Sequence, residues 1–123
     1  MQNDKSKFKI EFRGRVVAFT VEILRLAEIL YAKKVMIPVA HQVIRSAGSI
    51  GANIIEARAA SSKKDYIKFF EIALKSANET QYWLEVIQKF DPAALPPSSM
   101  IAKEADELTR MISASVLTLK GRK

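Results

Sequence analysis

A chain of 123 residues fits one domain and is long enough to bury an independent core. Hydrophobic residues make up 49% and charged residues 27%, the balance of an ordinary globular protein. Cysteine is absent, which excludes disulfides, thiolate metal sites and cysteine nucleophiles, and which suits a reducing cytoplasm. Net charge is +7, and it is unevenly placed. Residues 1–75 carry 14 Lys and Arg against 7 Asp and Glu; residues 76–123 carry 6 against 6. The excess therefore belongs to the first three-fifths of the chain. It points to an anionic partner, most simply nucleic acid, with plain solubility as the competing explanation. No apolar run approaches the ~18 residues of a membrane span, and the charged N-terminus lacks the core of a signal peptide.

In residues 1–13, Phe8, Ile10 and Phe12 alternate with Lys7, Lys9 and Glu11. That period of two predicts an extended N-terminal arm. The bundle proper is then expected over residues 14–120, with a basic tail at 121–123. A first helix is predicted from about Arg15 to Lys34. Val16, Phe19, Ile23, Leu26 and Leu30 mark its inner face, and Val17, Leu24 and Tyr31 widen it.

Pro38 suits a first helical turn and starts a second helix that runs to about Arg58. Its apolar seam is Val43, Ala47, Ile50 and Ile54. Beside the seam lies a ridge of small residues, Ala47, Gly48, Gly51 and Ala52. Each mid-helix glycine costs about 1 kcal/mol against alanine, so close approach by another helix is expected to offset it. Ser46, Ser49, Asn53 and Glu56 form a polar stripe next to this ridge. Asn53 and Glu56 are read as register-setting polar groups at a helix or subunit contact, with a ligand site as the alternative.

Ser62-Lys63-Lys64-Asp65 resembles a capping box and opens a third helix that reaches Phe90. This helix has two apolar rows. One holds Tyr66, Phe70, Ala73, Ala77, Leu84 and Ile87; the other holds Phe69, Ile72, Trp83 and Val86. Two rows exceed what one core needs, so Phe69, Ile72 and Val86 are expected to face a neighbouring subunit. Asp91-Pro92 ends the helix, and Ser98 or Ser99 caps a fourth that runs to about Leu119. Four helices with short connections predict an all-α, antiparallel up-down-up-down four-helix bundle.

No catalytic constellation is visible. His41 has no second histidine or cysteine beside it, Glu56 has no carboxylate partner on its face, and Gly48-Ser49-Ile50-Gly51 lacks the Lys-Ser/Thr of a phosphate loop. The chain is therefore read as non-enzymatic, with no cofactor. The candidate nucleic-acid contacts are Arg45, Arg58, Lys63, Lys64, Lys68 and Lys75. Arg58, Lys63 and Lys64 cluster at the turn between the second and third helices. Arg13 and Arg15 are further cations, and Tyr82 and Trp83 are considered as a base-stacking pair, with Trp83 expected in the core.

One stretch carries a resemblance. Ile44-Arg45-Ser46, Ser49 to Ile54, Glu56-Ala57, Lys75, Glu79-Thr80 and Tyr82 to Glu85 closely resemble the signature of a family of four-helix bundle proteins. Those proteins were first noticed in intervening sequences of bacterial large-subunit ribosomal RNA genes. The likeness is dense over the second and third helices and rests on pattern over the other two. It departs at Ala57-Arg58, where many members have Glu-Gly or a similar turn, although Ala-x-Ala versions also fit the family. The resemblance implies an antiparallel bundle assembled as a ring, typically a homopentamer. A related branch, the accessory protein of diversity-generating retroelements, binds nucleic acid and a reverse transcriptase. RNA or DNA, and a reverse transcriptase or another protein, are thus the partners it implies.

Overall fold

The computed structural model describes residues 4–121 and is all-α. Residues 1–3 of the expected arm, and Arg122 and Lys123 of the basic tail, lie outside the described residues. Helix α1 runs Asp4–Leu30, α2 Ile37–Ala57, α3 Lys63–Phe90 and α4 Met100–Leu119. A short 3-10 turn, Lys34–Met36, leads into α2. No strand occurs among the described residues.

The extended arm is a correction. From Asp4 onward the chain is already helical and continuous with α1. Phe8 and Phe12 are four residues apart, so on a helix they share a face, and their rings stack at 6.0 Å. Phe12 then joins Val16, Phe19 and Ile23 in the core. Packing chose the period of four over the period of two, and Ile10 was left in solvent. The helix also ends earlier than expected, at Leu30 rather than Lys34.

The other three helices fall where their signals put them. Pro38 lies in the first turn of α2, where its missing N–H costs nothing. The Ser62 side chain accepts from the Asp65 N–H at 3.1 Å and starts α3, and the Ser99 side chain accepts from the Ile101 N–H at 3.1 Å and starts α4. α2 ends without glycine: Arg58 stays right-handed, and the amides of Arg58, Ala59 and Ala60 turn back to the carbonyls of Ile55, Glu56 and Ala57.

Each helix packs mainly against two others. α2 lies between α1 and α3, and α4 completes the circuit from α3 back to α1. Ile23, Leu30, Val43, Ile87, Leu108 and Ile112 fill the centre. The inner face expected of α1 is buried in full, but Val17, Leu24 and Tyr31 point outward. Leu95, in the loop before α4, closes one end of the core. At that same end Lys33 forms an ion pair with Asp91, the residue that caps α3.

Between α2 and α3 the contact is polar as well as close. Hydroxyl–hydroxyl hydrogen bonds join Thr80 to Ser46 (2.9 Å) and Ser76 to Ser49 (2.7 Å). Small side chains let the two helices approach, and their hydroxyls satisfy each other where water is excluded. No buried side-chain nitrogen or oxygen lacks a partner among the described residues.

Candidate nucleic-acid interface

The cationic candidates sit on the end of α2, the following turn and the outer face of α3. Ser62 fixes the start of α3, and with it the direction of every lysine beyond. Lys64, Lys68 and Lys75 are four and seven residues apart and so share one face. They span roughly 16 Å at 1.5 Å rise per residue. Arg58, Lys63, Lys64, Lys68 and Lys75 are all exposed, and none has an ion-pair partner among the described residues. Glu71 lies on the same face, but its carboxylate is taken by Lys120, the residue that caps the end of α4. Asn78 and the exposed ring of Tyr82 continue the face toward the far end of α3.

Arg45 is differently placed. Its guanidinium pairs with Glu79 of α3 and also donates to the Gln42 side chain at 3.1 Å. The same Glu79 carboxylate accepts from the Trp83 indole at 3.1 Å. Arg45, Glu79 and Trp83 therefore form one interhelical network beside the buried hydroxyls. Trp83 is half-buried, with its ring edge against Tyr82 at 5.0 Å. Two other candidates part in the same way. Arg13 is exposed, whereas Arg15 is held by Glu104 (2.7 Å) and Glu107 (3.1 Å) of α4. The hydrogen bond that Arg15 donates to the Glu104 carboxylate keeps the guanidinium more firmly protonated than usual, despite the opposing desolvation.

The polar stripe and the ridge resolve residue by residue. Asn53 bonds within its own helix, donating to the Ser49 carbonyl at 2.8 Å and to its hydroxyl at 3.0 Å. Glu56 is exposed. Within the subunit, the register between α2 and α3 rests on Ser46, Ser49, Ser76 and Thr80. Gly51 meets α1: a Cβ there would lie 3.1 Å from Val16 Cγ1. A Cβ on Gly48 would meet nothing within 4 Å. Of the surplus residues on α3, Phe69 packs against the core, Val86 is half-buried and Ile72 is 36% exposed. A larger apolar surface lies elsewhere. Val17 (54% exposed) and Val21 lie on α1 beside Gly48, Ala52 and Ile55 of α2, and Leu24 (47%) continues the same face of α1. Val17 and Leu24, expected to widen the inner face of α1, are part of this outer strip instead, and the spacings of four and three between Val17, Val21 and Leu24 are the signal that separates it.

The family model described as 23S rRNA-intervening sequence protein matches residues 9–114. The chain belongs to this family. The match extends beyond α2 and α3 over most of α1 and α4. A crystal structure of a protein of unknown function from the S23 ribosomal protein family of Bacteroides thetaiotaomicron shares the fold. It is 32% identical, with a TM-score of 0.78 over 85% of this chain and 97% of that one. No curated protein matches the chain. Among the described residues no helix is long and apolar enough to cross a membrane.

Proposed function

We propose that this family member is a non-enzymatic, homo-oligomeric four-helix bundle that binds RNA or DNA through its cationic face. The observation that carries the reading is the set Arg58, Lys63, Lys64, Lys68 and Lys75, exposed together without carboxylate partners. A solvated face of ordinary composition intersperses its charges, whereas here the one intervening glutamate is already neutralised by Lys120. An up-down-up-down topology fits the alternation of helix ends, because the start of α1, the end of α2, the start of α3 and the end of α4 meet around one cavity. The family resemblance suggests a pentameric ring in the cytoplasm, and the apolar strip of Val17, Val21, Leu24 and Ile55 is the surface best suited to join the subunits. A ring repeats the lysine face around its axis, so weak phosphate contacts add through multivalency.

No motif for reading base edges accompanies the lysines. Binding is therefore to phosphate, indifferent to sequence, and steeply weakened by salt. Fluorescence anisotropy with mixed-sequence oligonucleotides at several salt concentrations tests this. The log–log slope should be near −0.9 per duplex phosphate neutralised. Replacing Lys63, Lys64 and Lys68 with glutamine should flatten the slope and weaken binding, with the melting temperature unchanged. Unaltered affinity and slope in that variant would favour the second reading, a structural or protein-interaction ring whose partner, such as a reverse transcriptase, docks on apolar surface.

A further inference from the structure

A cavity lies at the end of the fold where residues 8–13 of α1, the end of α2, the start of α3 and the end of α4 converge. Its volume is about 700 Å³. Phe12, Ile54, Tyr66, Phe70, Met111 and Leu119 supply apolar walls. Tyr66 and Phe70 stack at 5.0 Å, which stiffens one side. Among the described residues the charged side chains that line this cavity are Lys9, Arg13 and Arg58, all exposed cations. An apolar chamber with Lys9, Arg13 and Arg58 at its mouth selects an occupant that is apolar along its length and anionic at its end.

We propose that this cavity is a binding site for a single hydrocarbon chain ending in a carboxylate, a free medium-chain fatty acid. The chain lies among Phe12, Tyr66, Phe70 and Met111, and the carboxylate reaches Lys9 and Arg13. An amphipathic peptide helix is excluded by size. At a diameter of ~10–12 Å, a volume of about 700 Å³ holds between one and two turns of helix, too little to anchor one. A flexible alkyl chain is narrower and fills irregular space. The cavity shares only Arg58 with the lysine face proposed for nucleic acid, so the two sites stand or fall separately.

Isothermal titration of the full chain with octanoate, decanoate and dodecanoate, each below its micelle-forming concentration, tests the site. One carboxylate should bind per subunit, with affinity rising roughly fourfold for each added methylene, the factor that burial of one CH₂ implies. Decanol, uncharged but of equal length, should bind at least tenfold more weakly than decanoate. The Lys9→Gln/Arg13→Gln variant should lose that preference. Filling the cavity with Ser115→Phe, or with Ala114→Phe at the exposed edge should the first fail to fold, should abolish binding while circular dichroism and melting stay native. The proposal is overturned by absence of saturable binding to the wild type, by equal affinity along the series, or by undiminished binding in a folded Phe variant.

Discussion

At the scale of single residues, the ion pair between Lys33 and Asp91 ties the turn after α1 to the end of α3. The Lys33 ammonium is the main cause that holds the Asp91 carboxyl below the usual carboxylate range, helped by the Ala94 N–H and opposed by desolvation. A carboxyl whose folded pKa is depressed stabilises the fold fully above its unfolded value, about 3.9, and loses that contribution as pH falls toward the folded value. Asp91→Asn should therefore unfold at lower urea than the wild type at neutral pH. The two midpoints should converge as pH drops below about 4. A gap that persists at low pH would mean that packing of the Asp91 side chain matters and its charge does not.

At the scale of the helix pair, Gly51 and Gly48 look alike in sequence, one turn apart on the same ridge. Their surroundings differ. Gly51 faces Val16 so closely that a Cβ alone would make a tight 3.1 Å contact, and Gly48 faces open space within the subunit. Gly51→Leu should destabilise the fold by roughly 1–3 kcal/mol, because added volume pushes α1 away from α2. Gly48→Ala should hold or raise stability by up to about 1 kcal/mol, the difference in helix propensity. Thermal melts of the two variants settle the comparison, and equal losses would refute the asymmetry. The first turns of α1 make a related point. Alternation over five residues looked like an extended arm, yet the stacking of Phe8 on Phe12 and the burial of Phe12 made a helix the better use of the same residues.

For the whole molecule, the open question is what covers the apolar strip on α1 and α2. Val17, Val21 and Leu24 project outward together with Ile55, a contiguous surface that a monomer would leave in water. We expect light scattering at micromolar concentration to report an oligomer, and Val21→Glu/Leu24→Glu to report a folded monomer. A monomeric wild type would overturn the assembly. Wild-type mass in the double variant would move the contact to α3, around Phe69, Ile72 and Val86.

The sequence alone determined three of the helices nearly to the residue, the inner faces of α2 and α3 and the central part of that of α1, and the family. Proline at a first turn, serine at a cap and apolar residues at spacings of three and four are local signals, and they act over one or two turns of chain. Tertiary structure decided what depends on a distant partner. It set Arg15 against Glu104, Arg45 against Glu79 and Glu71 against Lys120, and so left the lysines of α3 unpaired. It placed Leu95, a loop residue without periodicity, in the core. It also gathered four distant helix segments around one cavity. Charge pairing and cavity shape depend on which faces of the helices meet, and that meeting is fixed by the packing of the whole chain.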